Sequence, residues 1–457
     1  MLRFPSRLQI FNALCSGSLG PMRQHWQRIL LSLAVASAVL LPTNLLASQR
    51  FHHDEALYAT WAWQITSGAD PWLAHTPVDK PPLFLYILAG AMRLLGPTEA
   101  AARVPSLLAT ALAVLLTFRL GRKLYGAAVG LVAAWLVALS PFTLLFAPTA
   151  FTDPLLVTLV LAACLAAAHH RPLWAGVLTG LAIATKQQGV FFMPLVLTLL
   201  IYDLRFTIYD LRFTIYDLRL TPHASRFILG LLFILLPVLI WDFTRSDVPD
   251  FLTYSLSNYG GLSGAAASFG ERWGGFVELL YYGTASPVLN GIFGVGLPLL
   301  LIYGVWADSR TADRRPLTAN NIQPSTLPSF QSSTDWIFTL FILLFLLGHA
   351  LFSFQVWDRY LLGLIPLLAL LLARILWLPG SVLTRMAEFY HRDAEAQRFF
   401  NDNFLRVSAS LGFNKLLEPL YGLTLALLLA VTLVQPVQDA VNGRYPLGSH
   451  SQALSGI

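Results

Sequence analysis

Residues 79–95 read DKPPLFLYILAGAMRLL, and the topology of the chain turns on whether this run crosses a membrane. Its apolar part, 83–95, falls short of the roughly 20 residues a helix needs to span a bilayer, and Arg93 interrupts it. Counted as a crossing, it would put Gly121-Arg122-Lys123 outside. Left out, it returns those basic residues to the cytoplasm, where loop lysines and arginines concentrate. The run therefore reads as an interfacial or re-entrant helix, and residues 48–102 as one structured external region.

The surrounding sequence sets the class. Of 457 residues, 56% are hydrophobic and 12% charged, with a mean hydropathy of +0.62. An ordinary soluble domain carries about 25% charged residues. The apolar runs are rich in Leu and Ala without polar alternation, which favours helices over a barrel. The expected fold is all-α and polytopic, with about 11 transmembrane helices and interfacial helices in the first extracytoplasmic loop. The expected crossings are 29–47, 103–118, 126–142, 154–168, 173–185, 189–202, 227–243, 288–306, 336–352, 360–377 and 417–434. With that topology, 21 of the 30 Lys and Arg residues fall on the inner side. The first run then reads as a retained signal anchor with its N-terminus inside, in a multi-pass plasma-membrane protein, and the C-terminus falls outside.

This topology divides the chain into a cytoplasmic segment (1–28), a membrane module (29–243) containing the external loop 48–102, a second external loop (244–287), C-terminal transmembrane helices (288–434) and a tail (435–457). The pentapeptide IYDLR recurs at 201–205, 208–212 and 215–219, which reads as a tandem duplication tolerated in an inner loop. Segment 380–416 mixes aromatics with charges and suits the inner membrane surface. The net charge of +6 is spread over loops, so nucleic acid is not an expected partner. Cys15 and Cys164 form no CxxC motif, which gives no sign of a disulfide framework or a zinc site.

Seven charged residues distant in sequence are expected at the outer interface: Asp54, Glu55, Lys80, Arg103, Asp153, Lys186 and Arg359. Each has a simpler reading. Basic residues at helix ends anchor at headgroups, and Asp153 before Pro154 suits a helix start. His52 and His53 beside Asp54 raise the question of a metal, but adjacent histidines point apart on a regular element. Together the set fits attack by a hydroxyl on a lipid-phosphate-linked group. A carboxylate takes the acceptor proton, and cations stabilise charge on the departing phosphate. No Walker loop calls for a soluble nucleotide. In 244–287, aromatics such as Tyr254, Tyr259 and Trp273 suit either an aromatic belt or an acceptor lid.

Several motifs occur in order: Asp54-Glu55-Ala56-x-Tyr58, Asp79-Lys80-Pro81-Pro82-Leu83, Arg103-x-Pro105-Ser106, Gly121-Arg122-Lys123-Leu124-Tyr125-Gly126, Thr152-Asp153-Pro154-Leu155, Thr185-Lys186-Gln187-Gln188-Gly189, and Arg359-Tyr360 before Pro366. This ordered set resembles the C-type integral membrane glycosyltransferases. It is closest to their protein O-mannosyltransferase-like branch, which includes the lipid A aminoarabinose transferases. The likeness is strong over 29–200 and weak over 355–366.

The resemblance implies transfer of a single sugar from a polyprenyl-phosphate donor to a lipid, glycan or protein hydroxyl on the extracytoplasmic face, with inversion. It implies Asp54 as the catalytic base, with Glu55 as a second catalytic acid or a neighbour that positions it, and Asp153 as a further site acid whose contact is acceptor, donor or metal. Lys80, Arg103, Lys186 and Arg359 would bind donor phosphate, and Tyr58 and Tyr360 would contact sugar or acceptor. Lys186-Gln187 stands where the family often has lysine-glycine. No cofactor is required, and a divalent metal is possible. The alternative from another class is a lipid-linked saccharide flippase, which would need polar groups within the spans or paired repeats.

Overall fold

A computed structural model describes residues 19–48, 50–202, 220–245, 247–258, 267–313, 329–352, 356–392 and 413–445. Regular structure among the described residues is helical throughout. The chain runs through α1 (Leu19–Leu40), α2 (Thr43–Ser48), α3 (His53–Ser67), α4 (Pro82–Leu95), α5 (Glu99–Tyr125), α6 (Ala127–Ala138), α7 (Pro141–Phe146), α8 (Asp153–Ala168) and α9 (Pro172–Thr185). A 3-10 segment (Gln187–Phe192) leads into α10 (Met193–Tyr202), followed by α11 (Leu220–Phe243), α12 (Phe251–Asn258), α13 (Phe269–Tyr281), α14 (Pro287–Asp313) and α15 (Ser329–Leu351). A second 3-10 segment (Asp358–Leu364) opens α16 (Ile365–Arg392), and α17 (Phe413–Val441) follows.

Among the described residues, seven helices are long and apolar enough to cross a membrane: Gln24–Leu46, Glu99–Tyr125, Pro222–Phe243, Pro287–Trp306, Ser333–Leu351, Asp358–Gly380 and Leu420–Val441. The other four expected crossings correspond to shorter apolar helices. One reason is visible in the chain. The expected crossing 126–142 is split where Pro141 starts a new helix, because proline cannot donate the hydrogen bond that would continue α6.

The run that decides the topology is helical and 14 residues long, about 21 Å at 1.5 Å per residue. That is shorter than a hydrocarbon core of about 30 Å. α4 instead lies on α3, burying Phe84, Leu85 and Leu88, while Thr66 Oγ1 donates to Ala89 O at 3.0 Å. Local chemistry sets the ends of this pair. His52 and Glu55 form a reciprocal cap at the start of α3, and Gly68, at φ +78°, ends it. Pro82 starts α4, where its missing N–H costs nothing.

In the bundle, α9 and α11 meet backbone to backbone. A Cβ on Gly176 would lie 2.0 Å from Phe227 O, and one on Gly230 would lie 2.2 Å from Leu173 O. Small residues of this kind permit close helix contact in lipid. The segment Asp358–Gly380 is the best covered of the seven candidate spans and carries Arg359 at one end.

Two features concern the side expected to be inner. Arg374, one of the 21 basic residues counted on the inner side although it falls at the end of the expected crossing 360–377, lies inside α16 and faces Asp335 of α15 at 3.6 Å. Helix α16 continues to Arg392, so part of 380–416 extends the last-but-one span; residues 393–412 lie outside the described residues. Most of the IYDLR repeat, 203–219, lies outside them too.

Candidate active site

The loops at one end of the bundle bring the seven expected charges together with an eighth, Asp79, as four cation–carboxylate pairs. Arg359 Nη1 donates to Asp54 Oδ2 at 2.5 Å, across 305 residues of sequence. Lys186 Nζ donates to Asp153 Oδ1 at 2.7 Å. Lys80 Nζ donates to its neighbour Asp79 at 2.7 Å. Arg103 Nε donates to Glu55 Oε1 at 3.2 Å.

The first three pairs form one cluster. Gln187, next to Lys186, donates from Nε2 to Asp79 O at 3.0 Å and to Ser255 Oγ at 2.7 Å. It thereby ties the Asp79-Lys80 turn to the 3-10 segment before α10 and to α12. Each lysine also lies near a tyrosine ring: Lys80 Nζ is 5.9 Å from the Tyr58 centroid, and Lys186 Nζ is 5.1 Å from that of Tyr360. Arg359 lies over Phe151 and Trp357, and the buried Trp357 Nε1 has no hydrogen-bond partner.

The electrostatics follow from this crowding. Burial, offset in part by Asp153 and reinforced by Arg359 and Lys80, brings the Lys186 ammonium down to about 8. Burial alone would raise the Asp54 carboxyl, but the Arg359 guanidinium and then His53 and His52 outweigh it and hold it below the usual carboxylate range. While Arg359 stays bound, Asp54 is a weak base. If an anion draws Arg359 away, the carboxylate regains affinity for a proton.

Glu55 and Arg103 are built differently. Glu55 is fully buried and accepts from Arg103, from His52 N at 2.9 Å and from Ala150 N at 2.7 Å. Arg103 also donates to Leu46 O at 2.7 Å and to Arg50 O at 3.3 Å. The pair pins the end of α2, the start of α3 and the loop before α8 to one another. This arrangement engages Glu55 and Arg103 with one another and with backbone groups. Asp153 likewise pairs with Lys186.

His52, His53 and Asp54 offer three potential metal-ligand atoms within 4.8 Å of one another. The donor set suits a divalent ion poorly. His52 Nδ1 already accepts from Asp54 N at 3.2 Å, Asp54 Oδ2 holds Arg359, and the start of a helix is electropositive. An ion here would compete with Arg359 for Asp54.

Residues 79–241 match the family model described as dolichyl-phosphate-mannose-protein mannosyltransferase. Over nearly its whole length the chain superposes on ArnT from Cupriavidus metallidurans in the apo state, with a TM-score of 0.57 and 16% identity, covering 95% of this chain and 77% of that one. The chain has the fold of a C-type membrane glycosyltransferase. The ArnT structure bound to undecaprenyl phosphate matches this fold with a TM-score of 0.55 and 17% identity, covering 94% and 77% of the two chains. The archaeal oligosaccharyltransferase AglB from Archaeoglobus fulgidus, in complex with an inhibitory peptide and a dolichol-phosphate, matches with a TM-score of 0.52 and 12% identity, covering 94% of this chain and 56% of that one. No curated protein matches the chain in sequence.

Motif order points to Lys80, Lys186 and Arg359 but assigns no role to Asp79 or Gln187. The signal for Asp79 is its place beside Lys80. Nothing in the spacing indicates that Gln187 reaches back 108 residues to the same turn.

Proposed function

We propose that the protein is a membrane glycosyltransferase that moves one sugar from a polyprenyl-phosphate donor to a hydroxyl acceptor on the outer face of the plasma membrane, with inversion. The observation that carries this reading is the placement of Asp54 on Arg359 beside a cluster of two further cations, Lys80 and Lys186. The ArnT relative with undecaprenyl phosphate supports the class of donor.

In this reading the donor phosphate enters among Lys80, Lys186 and Arg359 and displaces their internal carboxylates. Arg359 shifts from Asp54 to phosphate. The released Asp54 carboxylate accepts the proton of the acceptor hydroxyl as its oxygen attacks the anomeric carbon. The bond from that carbon to the phosphate oxygen breaks, and its electron pair stays on the phosphate, where the cations stabilise it. A single displacement inverts the anomeric centre. Tyr58 and Tyr360 hold the lysines at their ring faces, and Glu55–Arg103 keeps Asp54 in place.

The test uses sealed vesicles of the purified protein, with radiolabelled decaprenyl-phosphate sugars in the outer leaflet and a cell-envelope extract outside. Label should move from lipid to an acceptor in the extract. Label that only exchanges between leaflets, without leaving the lipid, would indicate a flippase and overturn the proposal.

A further inference from the structure

Two buried acceptor atoms in the cation cluster lack any hydrogen-bond partner: Asp79 Oδ1 and Gln187 Oε1. Asp79 is only 6% exposed, and its other oxygen is taken by Lys80. The two residues touch, because Gln187 Nε2 donates to Asp79 O. That contact fixes the orientation of the amide. A backbone carbonyl only accepts, so the nitrogen must face it and Oε1 must point away. A buried acceptor left unmatched costs about 1–3 kcal/mol, and more when charged. Two such atoms on adjoining residues, beside an anion-binding lysine, call for a ligand with two donors.

The phosphate cannot supply them. A phosphodiester only accepts hydrogen bonds, and against the Asp79 carboxylate it meets a like charge. The group joined to that phosphate is a sugar, whose hydroxyls are donors. It is joined directly to the ester oxygen of that phosphate, within reach of the groups that flank Lys80. We propose that Asp79 and Gln187 form a sugar subsite that accepts hydrogen bonds from two hydroxyls of the donor sugar.

This inference rests on the proposed polyprenyl-phosphate donor and adds a selection rule to it. The lipid product left after transfer has no sugar hydroxyls and gains a second ionisable phosphate oxygen. Asp79 therefore attracts the loaded donor and repels the spent one, which favours product release. A hydroxyl of the acceptor offers the same chemistry, so the experiment omits acceptor.

Binding is measured on the full-length protein in lipid nanodiscs. The probes are bare decaprenyl phosphate and decaprenyl phosphates carrying mannose, glucose, galactose, ribose or xylose. At least one sugar-loaded lipid should bind the wild type about tenfold more tightly than the bare lipid, as one or two hydrogen bonds to a charged and a neutral acceptor imply. Asp79→Leu should abolish that preference while binding bare decaprenyl phosphate as tightly as wild type or more so, because Lys80 is then freed for phosphate. If Asp79 only supports Lys80, affinity for both lipids falls together and the subsite is overturned. Should Asp79→Leu fail to fold, Gln187→Met decides between the two: it should lose most of the sugar preference and hold the bare lipid within about threefold. A Gln187→Met protein that keeps the full preference overturns the subsite, as does equal binding of bare and loaded lipids by the wild type. Failure of the wild type to bind any of these lipids overturns the donor assignment itself.

Discussion

Glu55 is fully buried, with Arg103 Nε on it at 3.2 Å, whereas Asp54, one residue earlier, is one-fifth exposed, with Arg359 Nη1 on it at 2.5 Å. The two acids share a helical turn and each holds an arginine, but their surroundings differ. Glu55 is closed in by two backbone amides, and Arg103 by two carbonyls. Asp54 has Arg359 and the neighbouring histidines around it, with His53 open to solvent beside it. A buried pair with every donor and acceptor matched is costly to break and has little freedom to exchange partners. A pair at the rim of an anion site can exchange them. In the proposed mechanism the contrast separates an acid that fixes the backbone from one that takes a proton.

The largest expected effect is on Asp54. Asp54→Asn should lower transfer by about 10²–10⁴-fold, the range for removing a general base, and leave thermal stability in detergent unchanged. Glu55→Gln should do the reverse. With Arg103 left without its counter-charge, the protein should lose about 3–5 kcal/mol of stability, seen as a lower melting temperature, and whatever remains folded should still bind donor. A Glu55→Gln protein that melts like wild type would collapse the distinction.

Lys80→Met tests the cations on the other side of the comparison. It should weaken binding of decaprenyl phosphate about 10–100-fold, the value of a charge-assisted hydrogen bond, whereas Arg103→Met should affect folding before affinity. The smallest effect is that of pH. Lys186, held down to about 8, loses its charge as pH rises through that value, so donor affinity should decline several-fold above about pH 8. Lys186→Arg should flatten that decline, because arginine stays charged.

Much of this is readable in the sequence. Hydropathy marks the seven long apolar helices, and the shortness of 83–95 sets it apart from them. The order of the motifs identifies the charges that meet. What spacing alone does not supply is the pairing among them. Lys80 binds the acid beside it, Lys186 the acid 33 residues back, and Arg359 the acid 305 residues back. Such partners are set by how helices pack, and no periodicity encodes that. The break at Pro141 and the pairing of Arg374 with Asp335 inside the bundle depend on context in the same way.

Central to the proposed mechanism is an Arg359 shared between the base and the phosphate. The decisive experiment measures binding of decaprenyl phosphate and transfer of labelled sugar on one preparation of Asp54→Asn in nanodiscs. The variant should bind the lipid at least as tightly as wild type, because Arg359 is released to the phosphate, while transfer falls by about 10² or more. Transfer within about threefold of wild type, or a loss of lipid binding that matches the loss of transfer, would rule out a shared Arg359.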